Sequence, residues 1–295
     1  MDKNLNIGII GYGEVGRIFI EGLLNTNNTL FVYDILLANQ ENKNPKMSED
    51  PNIHFKPTID SLASTCDLIF SLVNSGSAFN VAEAISKCIK KNAILIDLTT
   101  STPQVKKKSE ELITIQGARY IDAAIMGTVV TEKFNVPIII GGDDSGEITI
   151  YLKELGFNCV NLDLPNGSAA SIKLLRSVFM KGLEALILET MIVSKHHDVL
   201  EEVMNSISTT MENNKFSTFS KALFDTHHIH KVRRFKEVTD SCKVIEEAKI
   251  TPYVTEGVKK FFSNSIQLEL EGDLIKRGSI DEILSVYEKN SLLEV

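Results

Sequence analysis

The sequence predicts an α/β chain: a doubly wound parallel sheet in the N-terminal half, followed by an all-α C-terminal domain. Three observations carry this. A short apolar strand, Leu5 to Ile10, runs straight into Gly11-Tyr12-Gly13-Glu14-Val15-Gly16, and a helical apolar pattern follows at Val15, Ile18, Phe19 and Leu23. Short apolar runs then alternate with amphipathic stretches as far as Leu162, and beyond Lys195 only helical patterning remains. Apolar strands separated by helices mean a sheet covered on both faces. The expected domains are residues 1–164 and 165–295.

Strand, glycine turn and helix together make the Rossmann-type context for a dinucleotide. Gly11 allows the tight turn, Gly13 lets the backbone approach a pyrophosphate, and Gly16 permits close helix–strand packing. The helix start, with Tyr12, Glu14 and Val15, then faces the diphosphate charge. A second strand, Leu30 to Tyr33, ends at Asp34, about twenty residues beyond the glycines. A carboxylate there accepts from both ribose hydroxyls and repels a 2′-phosphate, so NAD is expected in preference to NADP.

Leu36 to Pro57 is polar and reads as a surface excursion. Leu68 to Val73 and Ala93 to Ile96 read as strands, the latter ending at Asp97. Ala78 to Ile89 and the charged, amphipathic Gln104 to Leu112 read as helices. Ligands of such sheets sit beyond the carboxyl ends of the strands. Val73, Asn74 and the Ser75-Gly76-Ser77 turn should therefore line the cofactor cleft, as should Thr99 to Thr102. Val136 to Ile140, Glu147 to Leu155 and Cys159 to Leu162 complete the alternation as strand, helix and strand. A helix from Ser168 to Lys195 follows, apolar around most of its circumference and so expected to be buried on most sides, inside a domain or between subunits. Lys173, Ser177 and Lys181 share one of its faces.

The chain has 295 residues, 43% hydrophobic and 24% charged, with a formal net charge of −8. That balance gives no reason to expect a nucleic-acid partner. No signal-peptide h-region or membrane-spanning apolar run is found, because Lys181, Glu184 and Glu189 interrupt the longest candidate. Cys66, Cys88, Cys159 and Cys242 are scattered, without metal spacing, and read as reduced thiols of a cytoplasmic protein. His227, His228 and His230 lack framing carboxylates or cysteines. They read as a surface or helix-end cluster rather than a metal site.

At four ordered places the chain resembles the β-hydroxyacid dehydrogenases, the group of 3-hydroxyisobutyrate and 6-phosphogluconate dehydrogenases. They are the glycine turn; Asp97-Leu98-Thr99-Thr100-Ser101-Thr102-Pro103, like the family's D-x-S-T-x-x-P; Asp122 to Thr128, where the family has D-A-P-V-S-G-G; and Gly167-Ser168-Ala169 with Ile172-Lys173, like G-x-G-x-x-x-K-x-x-x-N. The last match sets Lys173 on the catalytic lysine. Ala124, Met126 and Thr128 depart from the substrate loop, Ala169 replaces a glycine, and Ser177 stands where the family usually has Asn. The C-terminal half looks most like a subgroup with a phosphogluconate-dehydrogenase-like C-terminal domain.

The resemblance implies reversible hydride transfer between nicotinamide and a hydroxyl-bearing carbon of a small hydroxyacid. Lys173 is the expected acid/base, helped by Ser177. Thr100, Met126, Gly127 and Thr128 are expected at the substrate, its carboxylate on the N–H groups of Gly127 and Thr128. Arg233 or Lys236 would approach from the helical domain. No metal is implied. A homodimer through the helical domain is, and the apolar circumference of the long helix argues the same. Two other classes share the architecture. An imine reductase generally lacks the lysine and would reduce a cyclic imine with loss of NADH. A non-catalytic NAD-sensing protein would bind the dinucleotide without turnover.

Overall fold

A computed structural model describes residues 4–38, 50–143, 145–268 and 279–291. Eight strands form one sheet: β1 (Asn6–Ile10), β2 (Thr29–Tyr33), β3 (Ile53–Phe55), β4 (Leu68–Ser71), β5 (Ile94–Asp97), β6 (Arg119–Ile125), β7 (Ile138–Gly141) and β8 (Cys159–Asn161). Their order is β3-β2-β1-β4-β5-β6-β7-β8, and every pairing is parallel except β6 with β7. The order reverses between β1 and β4, so a cleft opens there beyond the strands' carboxyl ends.

The strands are apolar on both faces because each face has its own core. Ile7, Ile9, Leu68, Phe70, Ile94 and Ile96 point into one, which α1 (Glu14–Leu23) closes with Phe19 and Leu23. Ile10, Ile69 and Leu95 point into the other. That face is closed by α3 (Ile59–Ala63), α4 (Ala78–Ser86) and α5 (Pro103–Thr114), following the short α2 (Ile35–Ala38). α6 (Val129–Glu132) and α7 (Ser145–Glu154) complete the set. The expected surface excursion is corrected in part: residues 39–49 lie outside the described residues, but Ile53–Phe55 pairs with β2 as an edge strand. Three residues between polar flanks are too few for a periodic signal.

Helix α8 (Ser168–His196) is one continuous helix, followed by α9 (Leu200–Glu212), α10 (Phe216–Glu247), α11 (Tyr253–Gln267) and α12 (Ile280–Ser291). Among the described residues no strand follows β8, and no helix is long and apolar enough to cross a membrane. The chain divides into compact units at Val178/Phe179, inside α8, rather than ahead of it. The first turns of α8 belong to the first unit: Ala169 and Ala170 are buried there, and the N–H groups of Gly167 and Ala170 bond to Asp122 of β6.

Within this chain α8 is not buried on most sides. Leu175, Val178, Phe179, Leu186, Ile187 and Leu188 are exposed. In the second unit, Glu189 of α8 accepts from the N–H groups of Val254 and Thr255 (2.8 and 2.9 Å) and from the Thr255 hydroxyl, capping α11. The histidines are not a surface or helix-end cluster: His227 and His228 lie within α10, against Tyr287. Among the described residues no three potential ligands gather as a metal site.

Candidate active site

The glycine turn leaves β1 with Gly11 at φ +100°, a conformation that L side chains rarely adopt. A Cβ at Gly13 would meet nothing within 4 Å, so the backbone there is open to an approaching group. α1 begins without a side-chain cap, leaving its first N–H groups, near Glu14 and Val15, free for an anion. Gly16 packs on the Gly11 carbonyl. Asp34 follows β2, and its carboxylate accepts from Tyr12 N–H (2.7 Å) and Leu36 N–H (2.8 Å). The acid is therefore pinned against the turn it was expected to serve. These residues fit a dinucleotide: an open, donor-rich cradle with a fixed carboxylate beside it.

The remaining expected cofactor residues differ in access. Val73 packs partly against the second core, and Asn74 is exposed, accepting from the Ser77 hydroxyl at 2.9 Å. Thr99 is only 3% exposed and its hydroxyl faces that of Ser71 at 3.4 Å, so its side chain belongs to the interior. Thr100 beside it is exposed. At the end of β6, Met126 is half-buried, while Gly127 and Thr128 are exposed. The expected carboxylate seat already holds a carboxylate: Glu132 accepts from Thr128 N–H at 3.0 Å and sits against Gly127.

Lys173 and Ser177 are both half-buried on α8, whereas Lys181 is exposed. Burial, and then the charge of Lys106, hold the Lys173 amine below the ordinary lysine range. Arg233 and Lys236 stand on α10 in the second unit. Arg233 is paired with Glu237 at 2.6 Å, and Lys236 is exposed.

Beneath Lys173 lies a cluster that the sequence did not announce. Lys106 of α5 is fully buried, 3.1 Å from Asp97 and 3.2 Å from Asp122, and donates to the Asp97 carbonyl at 2.7 Å. Asp97 also accepts from the Tyr120 hydroxyl (2.7 Å) and from Thr99 N–H (2.9 Å). Asp122 accepts from the N–H groups of Gly167 and Ala170, each at 3.0 Å. Asn166 bridges behind it, accepting from Asp122 N–H and donating to the Tyr120 carbonyl and Glu110. Burial pushes the Asp122 carboxyl above the usual range despite Lys106 and the helix N–H groups. Burial and the Asp97 charge raise the Tyr120 hydroxyl well above its own.

Comparison with known proteins fits this geometry. The chain is 25% identical to an uncharacterised 28.5 kDa protein of Methanothermus fervidus, over 88% of this chain and 98% of that one. It is 22% identical to 2-(hydroxymethyl)glutarate dehydrogenase of Eubacterium barkeri, over 70% of this chain and 69% of that enzyme. An imine reductase of Aspergillus terreus, solved with NADPH4 and dibenz[c,e]azepine, shares the fold at a TM-score of 0.71 and 16% identity, covering 90% and 95% of the two chains. Residues 6–160 match the NAD-binding domain of 6-phosphogluconate dehydrogenase. With its open glycine turn, its fixed acid after β2 and its lysine on the helix after the sheet, the chain belongs to that NAD-binding dehydrogenase family.

Proposed function

We propose that this protein is an NAD-preferring dehydrogenase acting on the CH–OH group of a small hydroxyacid, with Lys173 as general acid/base. The observation that carries the reading is the state of Lys173: half-buried one turn beyond the Asp122-held start of α8, its amine lowered by burial and by Lys106. A lysine lowered toward neutrality suits proton exchange with a substrate hydroxyl. When bound, the nicotinamide supplies hydride chemistry. The turn of Gly11, Tyr12, Gly13, Glu14, Val15 and Gly16 would hold the diphosphate, and Asp34 the ribose. Asn74 and the backbone at Val73 and Thr99 would border the dinucleotide. Thr100, Met126, Gly127 and Thr128 would border the substrate, with Ser177 beside Lys173. Asp34, fixed by two N–H groups, supports NAD over NADP.

The exposed apolar residues of α8 support a homodimer, which light scattering at micromolar concentration would test. Four free cysteines support a cytoplasmic location.

One observation favours imine reduction as a second reading. Glu132 on Thr128 N–H disfavours a substrate carboxylate at that point. Lys173 argues the other way.

The test is a panel of hydroxyacids and aldonates with NAD and NADP, beside cyclic imines with NADH. Lys173→Ala should lower turnover roughly a hundredfold with NAD binding nearly unchanged. Lys181→Ala is the control, about 12 Å further along the helix, and should have little effect. Equal small losses in both variants would remove Lys173 from the chemistry. NADP binding tenfold tighter than NAD, about 1.4 kcal/mol, would overturn the cofactor preference.

A further inference from the structure

Lys106 is fully buried, out of reach of any substrate, and holds two carboxylates that are themselves buried. Ion pairs of this kind add little stability over a packed apolar core of the same volume, because all the charges have left water. Stability alone therefore does not explain the arrangement, but its connections do. Through Asp97 the ammonium reaches Thr99 N–H, in the loop after β5 that carries Thr100. Through Asp122 it reaches Gly167 and Ala170, the start of the helix that carries Lys173 one turn later. The two loops are linked through one side chain.

We propose that Lys106 is a positioning residue: it locks the first turn of α8 to the Thr99–Thr100 loop, fixing the amine of Lys173 against the cofactor-side loop. The role rests on the reading of Lys173 as acid/base. Lys106 acts on Lys173 from α5, and its own partners are Asp97 of β5 and Asp122 of β6. Its charge also adds to burial in disfavouring a proton on Lys173. One residue thus bears on where that amine sits and, after burial, on when it is charged.

The test needs no known substrate. Lysines of the intact protein are reductively methylated with 13C-formaldehyde, and the Lys173 signal is assigned by its loss in Lys173→Arg. Its titration is then followed by NMR in wild type, Lys106→Gln and Asp122→Asn, with folding checked by circular dichroism and NAD binding by titration. The expected result is a folded, NAD-binding Lys106→Gln protein whose Lys173 midpoint rises toward the ordinary lysine range. Where a substrate is in hand, kcat should fall roughly tenfold or more with KM little changed. If Lys106→Gln does not fold, Asp122→Asn is read instead, since its amide oxygen still accepts from the helix while the link to Lys106 is weakened. A midpoint raised there, against the fall that loss of a carboxylate charge alone would give, supports the role, and a lowered one overturns it. An unmoved midpoint in whichever variant folds, even with lowered thermal stability, overturns it. Wild-type protein that turns over no hydroxyacid would sink the proposed function and leave this titration readable.

Discussion

Asp122 and Glu189 perform the same task in the two units, yet their surroundings shift the two carboxyls in opposite directions. Each is a buried carboxylate that receives N–H groups at the start of a helix, Asp122 from α8 and Glu189 from α11. Around Asp122 burial dominates, and even Lys106 does not bring the carboxyl down to its usual range. Around Glu189 burial also acts upward, but bonds from the Thr255 hydroxyl and from the N–H groups of Val254, Thr255 and Tyr253 together outweigh it. Depth decides the sign: Asp122 sits in the central sheet, Glu189 between helices. His228 is a third case, buried with neither ring nitrogen hydrogen-bonded among the described residues. Burial, then the Lys231 charge, lower its pKa to about 4.

These differences can be broken experimentally. The largest effect is expected from Lys106→Met, which strands two buried carboxylates and should cost about 3–5 kcal/mol at neutral pH. Urea denaturation measures it. The deficit should shrink on acidification, because Asp122, with its raised folded value, is more easily held neutral than when unfolded. A deficit independent of pH would mean lost packing rather than lost charge pairing.

Next comes His228. Its folded value lies below the unfolded one, so its contribution is complete above about pH 6.5 and is lost as pH falls toward about 4. The loss should reach roughly 3 kcal/mol at most. His228→Leu should flatten that part of the stability profile, and an unchanged slope between those limits would refute the assignment.

The smallest effect is expected from Glu189→Ala, about 1–2 kcal/mol as for loss of a helix cap. Its depressed carboxyl contributes above the ordinary carboxylate range and ceases to contribute as pH falls through the lower folded value. Wild-type and variant melting temperatures should therefore converge in acid. Divergence there would place Glu189 with Asp122.

The glycine turn and Asp34 were legible because their geometry is local: a few consecutive residues bend, expose N–H groups and end a strand. Lys173 was singled out by resemblance, through the likeness of Gly167-Ser168-Ala169 and Ile172-Lys173 to a family motif, and it stands half-buried on α8. Lys106 was not legible. It stands in a run with Lys107 and Lys108 on a helix that reads as charged and amphipathic. Its burial is decided by Asp97 and Asp122, which reach it only once β5 and β6 pair. Asp97 itself read as a strand-ending acid, although its side chain is turned inward. Glu132 was missed for a similar reason, since its hold on Thr128 depends on how the chain bends at Gly127.

The span between Asp122 and its helix partners also bears on how the chain is made. Synthesis delivers β6 from the ribosome well before Asn166, Gly167 and Ala170 emerge, so for that interval Asp122 lacks the groups that complete its surroundings. A gene cut after Leu164 would encode every strand of the sheet and still leave that interior unfinished. A cut after Val178 would carry the missing turn with it. The start of α8 is thus the last-arriving part of the first unit rather than the beginning of the second.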